Sequence, residues 1–369
     1  MKFSCNSYEL SEACQIVQRA ASAKSTIPSV EGILISAENG KLTLTGYDLD
    51  MGMITSIPCM TASEGKIVVN AHMLSEILRK LPADTVMIES DMRQIAKIES
   101  GRFVTSIIGM SADDYPELPS ITGGYDIELP QNILKDMVKK TIFSVAVKDS
   151  KPVHTGVKFE IEDNHIRLIA VDGVRLAIRN EDINYTGEPL SFVVPAKTLS
   201  EVMKLLGDED DNISISVGKR HITFSIGKYF IISRLLDGEF LKYKDAIPSQ
   251  AKTSAKISTS VLLDSIERTS LIITDRIKSP IKCVFSDDSV SMSSNASIGE
   301  ANDIIPAEIT GDRVTIGFNN KYMIDALRVC DTDEVKIILN GPVSPILVVP
   351  PEGENFIFLI LPVRLKNEG

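Results

Sequence analysis

Four clusters of carboxylates are the groups in this 369-residue sequence whose type and spacing could support catalysis. Carboxylates that converge in space can hold two divalent metal ions, and such a pair of ions cleaves phosphodiesters by in-line displacement. The clusters are Asp48/Asp50, Asp113/Asp114, the DEDD run at 208–211 and Asp287/Asp288. A metal-dependent nuclease is therefore one hypothesis, and it requires DNA cleavage that depends on magnesium.

The sequence around these carboxylates favours turns over a metal site. The DEDD run lies between an amphipathic helical pattern and an alternating strand pattern, where a solvated turn is expected. Asp48 and Asp172 fall at equivalent positions of an internal repeat, and Asp is a common turn residue because its side chain bonds to the nearby backbone. A repeated position indicates repeated structure rather than one catalytic centre.

Other catalytic signatures are absent from the sequence. It contains no GxxxxGK[ST] or GxGxxG phosphate loop and no GxSxG motif, and its four histidines lack HExxH spacing. The five cysteines form no CxxC pair, which argues against a zinc knuckle and indicates a reducing compartment. We therefore expect a protein that is not an enzyme and that uses no metal or cofactor.

Composition limits the possible partners. The chain is 43% hydrophobic and 24% charged, and 39 Lys and Arg against 50 Asp and Glu give a net charge of −11. Overall charge would therefore repel nucleic acid, so any DNA contact must use a local basic surface. The sequence starts with a strand-like segment rather than a signal peptide, and its longest apolar run is far too short to span a membrane. We expect a cytoplasmic protein without a membrane partner.

A threefold internal repeat organises the chain. A strand that runs into an amphipathic helix begins at Ile67, Phe192 and Ile316, which are 125 and 124 residues apart. Connectors rich in Gly, Ser, Thr and Lys follow the first two copies. The sequence therefore predicts three tandem domains, at residues 1–122, 126–249 and 254–369.

Each copy is predicted to be an α+β domain. Period-two alternation at 41–45, 86–89, 213–217 and 335–339 predicts half-buried strands. Each copy opens with an apolar helical pattern, at 8–20, 131–144 and 260–271, and the expected helix starts are Ser7, Pro130, and Ser258 or Ser260. The predicted domain is a mostly antiparallel sheet with two helices packed on one face.

The repeated helices carry basic or titratable residues at matching positions. The second helices have His72, Lys197 and Lys321, followed seven residues later by Arg79, Lys204 and Arg328. Seven residues are nearly two turns, so both positions share one helix face. The first helices add Lys135, Lys139, Lys140 and Arg268. These faces predict a surface that contacts phosphates without reading sequence.

A scaffold that binds no DNA is the alternative interpretation of these faces. Basic residues on a solvated helix commonly form i,i+4 pairs, and Lys197–Glu201 and Lys321–Asp325 have that spacing. Charge reversal at Lys197, Lys204 and Lys321 separates the hypotheses, because only a DNA-binding protein would lose retention on DNA.

Several segments resemble the bacterial DNA polymerase III beta subunits, the beta sliding clamps. The segments are LTGYDLDM at 44–51, VDGVRLA at 171–177, LDGEFLKY at 236–243 and the terminal LPVRL at 361–365. The resemblance covers essentially the whole chain with the same three-domain period. It implies a head-to-tail homodimer that closes into a six-domain ring, with sheets outside and twelve helices inside.

The resemblance also implies a function and partners. The ring would encircle duplex DNA as a non-catalytic processivity factor. A hydrophobic pocket between the second and third domains would bind short peptides of the polymerase III alpha subunit, the clamp loader and repair proteins.

Candidate site residues follow from the helix faces and the resemblance together. Lys24 and Lys148 match lumenal positions of the family. The expected DNA contacts are Lys24, His72, Arg79, Lys139, Lys148, Lys197, Lys204, Arg268, Lys321 and Arg328. The expected pocket residues are His154, Val171, Gly173, Val174, Arg175, Leu176, Leu241, Leu361, Pro362, Val363 and Arg364. Ordinary core is the alternative interpretation of the apolar members.

Four positions depart from the family pattern. Val174 replaces the usual His, His154 the usual Leu, Leu241 the usual Pro, and Asp245 a frequent Arg. These changes bear on pocket shape and partner preference. For the dimer seam, we expect Phe103 and Ile107 on an edge strand to meet Leu271 and Ile272 at the end of a helix.

Overall fold

The computed structural model describes residues 1–121, 123–148, 151–209, 211–273 and 280–365. Contacts divide the chain into a first unit, Met1–Gln131 with Lys204–Leu235, and a second unit, Asn132–Met203 with Leu236–Gly369. The α-helices are α1 Ser7–Val17, α2 Ala71–Leu78, α3 Gln131–Ile142, α4 Ala196–Met203, α5 Thr259–Ser270 and α6 Asn320–Arg328. Within the described ranges, no helix is long and apolar enough to cross a membrane.

Strands account for most of the remaining regular structure. They are β1 Lys2–Asn6, β2 Gly32–Glu38, β3 Lys41–Tyr47, β4 Met51–Pro58, β5 Met60–Ser63, β6 Gly65–Asn70, β7 Thr85–Ser90, β8 Ile95–Ser100, β9 Phe103–Ile108, β10 Tyr125–Pro130, β11 Gly156–Glu162, β12 His165–Val171, β13 Arg175–Asp182, β14 Leu190–Pro195, β15 Asn212–Val217, β16 His221–Ile226, β17 Tyr229–Arg234, β18 Thr253–Ser258, β19 Ile281–Ser286, β20 Ser289–Ala296, β21 Gly299–Pro306, β22 Glu308–Gly311, β23 Val314–Phe318, β24 Glu334–Leu339, β25 Ile346–Val349 and β26 Phe356–Ile360.

The first unit holds two antiparallel sheets. One has the order β5-β1-β7-β8-β9 and the other the order β10-β15-β16-β17-β4-β3-β2-β6. The pairing of β17 with β4 joins strands of the first and second sequence repeats into one sheet. Helix α1 packs against α2 and against β4, so its apolar side is covered by the sheet.

The second unit repeats this arrangement. A nine-stranded sheet has the order β14-β11-β12-β13-β26-β25-β24-β18-β22, and a four-stranded sheet has the order β21-β20-β19-β23. Strand β26 pairs with β13 as β17 pairs with β4 in the first unit. Helix α5 packs against α6, β20 and β21 around a large cluster of buried apolar residues.

The predicted elements are confirmed, with one change at a helix start. All four alternating segments are strands, and helices lie at all three predicted first-helix positions. The expected cap Ser7 is wrong, because Asn6 is the N-cap of α1 and its side chain accepts a hydrogen bond from the Glu9 amide at 3.0 Å. Ser7 lies inside the helix, and its hydroxyl donates to the Ala83 carbonyl at 2.6 Å. Ser258 is the N-cap residue of α5.

Candidate functional site

A tight turn between β12 and β13 positions five of the eleven expected pocket residues, which are Val171, Gly173, Val174, Arg175 and Leu176. The Asp172 carboxylate accepts hydrogen bonds from the amides of Val174 at 3.1 Å and Arg175 at 3.0 Å. Gly173 has a φ of 88°, which a residue with a side chain rarely adopts. The turn is therefore fixed by its own sequence, and it leaves the Val174 side chain 39% exposed.

The C-terminal segment lies beside this turn. Strand β26 pairs with β13, and just beyond it the Leu361 amide donates to the Val174 carbonyl at 2.9 Å. The Val363 amide donates to the Gly317 carbonyl on β23 at 2.8 Å. Leu361 and Val363 are each 39% exposed, so backbone hydrogen bonds hold apolar side chains at the surface.

Buried apolar residues form the base under this segment. They belong to one cluster that includes Val153, Val171, Leu176, Phe240 and Leu359. The imidazole of the neighbouring His154 packs edge-on against Phe240, with 5.6 Å between ring centroids.

Four expected pocket residues of this unit have exposed apolar side chains, which are Val174, Leu241, Leu361 and Val363. We call the surface that these side chains would form above the buried base the apolar groove, and the four side chains its rim. Large exposed apolar side chains that share one surface are typical of protein-binding sites.

Arg175 is held tightly under the groove. Its guanidinium donates to Asp172 at 2.7 Å and to Asp325 on α6 at 2.7 Å, and it stacks over Tyr322 with 4.7 Å to the ring centroid. The side chain is only 11% exposed. Arg175 therefore fixes the turn to helix α6. Asp325, which has i,i+4 spacing from Lys321, thus accepts a hydrogen bond from Arg175.

A second polar network lies at the short 3-10 helix Tyr243–Ala246, which we call the Tyr243 loop. Burial raises the pKa of Tyr243 to about 12, so its hydroxyl stays protonated and donates to Glu160 at 2.6 Å. Burial opposes ionisation of Glu160, but hydrogen bonds from Lys158 and Tyr243 outweigh it and hold the pKa of Glu160 below its usual value. Asp245, the position where the family often has Arg, is exposed on this loop.

All ten expected DNA contacts have exposed side chains. Three of the arginines are paired with carboxylates, at 2.7 Å for Arg79–Glu76, 2.6 Å for Arg268–Asp303 and 2.8 Å for Arg328–Glu267. Exposed pairs of this kind contribute little to stability and can exchange a carboxylate for a phosphate.

Lys140 differs from its neighbours on α3. It is buried, and its ammonium lies 2.8 Å from both Asp136 and Asp331. Asp136 also binds the buried Arg179 at 2.8 Å. Lys140 is therefore a structural charge rather than part of the basic helix face, and only its partners in the fold distinguish it from Lys139.

Two of the residues expected at the dimer seam are well exposed. Phe103 is 42% exposed on β9, which is the edge strand of its sheet, and Leu271 is 80% exposed just after α5. Ile272 is partly buried. Ile107 is only 7% exposed and belongs to the core of its own protomer, whereas the adjacent Ile108 is 84% exposed. The burial pattern along β9 leaves Val104, Ser106 and Ile108 exposed, so Ile108 rather than Ile107 lies on the open face.

Two of the carboxylate clusters, Asp48/Asp50 and Asp287/Asp288, lie in turns between strands, and Asp113 and Asp114 lie in a short 3-10 helix. Asp48 accepts hydrogen bonds from the amides of Asp50 at 3.1 Å and Met51 at 2.7 Å, the same bonds that Asp172 makes in the second copy. Asp287 is a left-handed residue in the β19–β20 turn, and Asp210 of the DEDD run lies outside the described residues. In the described ranges, no three His, Cys, Asp or Glu side chains are grouped so that they could hold a metal ion.

Comparison with protein families gives a match along nearly the entire chain. The N-terminal, central and C-terminal domains of the DNA polymerase III beta subunit match residues 1–119, 128–242 and 244–364. The beta sliding clamps of Bacillus subtilis and Halalkalibacterium halodurans are each 33% identical to the chain. The first alignment covers 99% of this chain and 100% of the relative, and the second 94% and 95%.

Solved structures give the same result. The DNA polymerase sliding clamp from Bacillus subtilis superposes with a TM-score of 0.96 at 32% identity, over 99% of this chain and 100% of that chain. A putative DNA polymerase III beta subunit from Eubacterium rectale gives a TM-score of 0.95 at 35% identity, over 98% and 99%. A sliding clamp from Pseudomonas aeruginosa bound to griselimycin gives 0.93 at 26% identity, over 99% and 100%.

Proposed function

The chain belongs to the bacterial DNA polymerase III beta subunit family, the beta sliding clamps, and we propose that it closes as a homodimeric ring around duplex DNA. In that state it is a non-catalytic processivity factor, which tethers the replicative polymerase and other replication and repair proteins. The observation that carries this proposal is the match of all three family domains, in order, along one chain.

The ten exposed basic or titratable residues are the proposed DNA-facing surface. A chain with a net charge of −11 repels DNA overall, so a few local phosphate contacts give weak binding that is independent of sequence. Retention then depends on ring closure rather than on affinity, and the closed ring remains free to slide.

The apolar groove is the proposed binding site for partner peptides. Its exposed apolar rim and buried base suit a short peptide with apolar anchors, such as those of the polymerase III alpha subunit and the clamp loader. Val174, His154, Leu241 and Asp245 would then set which peptides this clamp prefers. The griselimycin-bound clamp supports the idea that clamps of this fold accept a ligand.

The proposed seam joins the β9 edge of one protomer to the region after α5 of its partner. An exposed sheet edge is an aggregation hazard unless it is covered, and a head-to-tail contact of this kind can close a ring. We retain domain boundaries at residues 1–122, 126–249 and 254–369, and a cytoplasmic location, as parts of the same proposal.

Sedimentation across protein concentration and salt tests ring formation. We expect a stable species of about twice 40.4 kDa. Replacement of the exposed Leu271 by Asp should shift this species toward the monomer, whereas the same change at the fully exposed Met92 should not. A strict monomer at micromolar concentration would contradict the ring.

A further inference from the structure

A second groove lies on the first unit, where residues 119–121 lie beside the sheet of β10, β15, β16 and β17. One cavity of about 510 Å³ has Pro119, Ile121, Phe230 and Ile232 in its lining. Asp126 also lines this cavity, and its carboxylate accepts a hydrogen bond from the Ser216 hydroxyl. An adjoining cavity of about 490 Å³ has Lys219, Arg220 and His221 in its lining. Both cavities include Ser120 and Ile121 in their lining, so the two cavities adjoin each other, one with apolar side chains and the other with basic ones. We call the two cavities together the linker groove, and its two parts the apolar end and the basic end.

The basic end carries a concentrated positive charge. Lys219, Arg220 and Arg234 are exposed, and none of them forms an ion pair with another residue in the part of the chain that the structure describes. His221 lies opposite Arg234 in the β16–β17 ladder. Partial burial, together with Arg234 and Arg220, holds the pKa of His221 below its usual value, as a positive local potential requires. Lys219, Arg220 and Arg234 are therefore the cations of this end, on a chain with a net charge of −11.

The repeat provides a comparison for the apolar end. A cavity of about 330 Å³ lies in the second unit beside Ile247 and Pro248, at the end of the second repeat. Strands β24, β25 and β26 form its other side. Its lining includes Ile338, Leu347 and Ile357, whereas Ser216, Thr223 and Phe230 occupy the matching strand positions of the linker groove. The linker groove is therefore the more polar and the larger of the two, and it is open to a polar ligand.

We propose that the linker groove docks an acidic segment of a partner protein, with an apolar side chain against Phe230 and carboxylates against the basic end. Charge complementarity selects this occupant, because unpaired cations on an acidic protein attract carboxylates. A nucleic-acid strand is disfavoured, since Phe230 is the one Phe, Tyr or Trp among the described lining residues and offers no series of stacking surfaces. The site is separate from the apolar groove and does not depend on it.

Binding of a labelled peptide to the full-length protein tests the proposal. The probe is a fluorescein-labelled heptapeptide, DEDIVDE, compared with the charge-inverted KRKIVKR and with an oligothymidylate of similar length. We expect only DEDIVDE to bind and Arg220→Glu to weaken it about tenfold, which corresponds to ~1.4 kcal/mol. Phe230→Ala should also weaken binding. Added peptide should slow amide hydrogen exchange at residues 119–121 and 216–234.

Three controls separate this site from others. Lys41→Glu makes the same kind of charge change at an exposed strand residue outside the groove, and Met60→Ala removes an exposed apolar side chain elsewhere. Neither should change binding of DEDIVDE, and Leu361→Asp in the apolar groove should leave it intact. The proposal is overturned if DEDIVDE does not bind, if Arg220→Glu binds it normally, or if the oligothymidylate binds in its place.

Discussion

At the scale of single residues, the repeat separates structural roles from functional ones. Asp48 and Asp172 make the same two turn-closing hydrogen bonds in different copies, so their chemistry is structural. The residue after each Asp adopts a left-handed conformation, which Gly173 accommodates and Leu49 adopts with a φ of 79°. The next residue differs in function: Asp50 is polar, whereas Val174 contributes an apolar side chain to the groove.

Arg175 gives a prediction about stability. Arg175→Met should lower the free energy of unfolding by about 3 kcal/mol, because it leaves Asp172 and Asp325 without their buried cation. Urea denaturation at a fixed protein concentration measures the change. Arg93→Met is the matched control, since Arg93 pairs with Asp91 at the surface and should contribute less than about 1 kcal/mol. Equal effects of the two substitutions would contradict the role assigned to Arg175.

Leu361 gives a prediction about peptide binding. Leu361→Asp should weaken a fluorescent QLxLF-type peptide by at least about tenfold, because it places a charge on the apolar rim without removing the Leu361 backbone hydrogen bond. Met92→Asp, at a fully exposed site outside the groove, should bind the peptide normally. If the Leu361 variant binds the peptide normally, the peptide does not bind in the apolar groove.

At the scale of elements, the sequence predicts strands and helices well but not their partners. Alternation identified β3, β7, β15 and β24 because each has one covered face. It could not show that β17 pairs with β4 or β26 with β13, since such long-range pairing depends on register between distant segments. The apolar groove depends on the second of these pairings, so only the family resemblance indicated its residues.

Burial depends on the same long-range packing. Lys139 and Lys140 are adjacent on one helix, and the helical pattern alone does not distinguish the exposed residue from the buried one. Lys140 is buried because Asp331, far away in the sequence, supplies a carboxylate. On β9, the sequence likewise does not distinguish the buried Ile107 from the exposed Ile108.

The Tyr243 loop gives a prediction about pH. Tyr243→Phe should reduce stability at pH 7 by about 1.5 kcal/mol, because the ionised Glu160 loses a hydrogen bond. The pKa of Glu160 is lowered in the folded state, so this stabilisation is present above its unfolded pKa and is lost as pH falls through the folded pKa. Chemical denaturation from pH 7 to acid should show the two proteins converging. If the difference in stability between the two proteins stays constant with pH, the hydrogen bond from Tyr243 to Glu160 is not the source of the stabilisation.

The basic helices give a prediction about DNA. The triple variant Lys197→Glu, Lys204→Glu, Lys321→Glu should keep its fold and lose retention on DNA, with a shallower dependence of log affinity on log salt. Circular dichroism and salt-dependent DNA binding measure the two effects. The control, Lys2→Glu, Lys41→Glu, Lys66→Glu, has the same net charge and should keep retention. If both triples behave alike, the helix faces are ordinary solvated surfaces.

At the scale of the whole molecule, the proposed function depends on topology rather than on affinity. An acidic chain with a few exposed basic residues would dissociate quickly from DNA if it bound from one side. A closed ring cannot dissociate until it opens or until the DNA ends. Long retention together with weak binding is therefore the property that distinguishes a sliding clamp from an ordinary DNA-binding protein.

Retention on circular DNA compared with linear DNA tests this claim most directly. The full-length protein is loaded onto nicked circular DNA by its clamp loader, and the bound fraction is separated by gel filtration before and after the circle is cut once. The ring predicts that the protein stays on the circle and is lost from the cut molecule through its ends. Equal retention on both forms would mean that the protein holds DNA by direct contacts, and it would contradict encirclement.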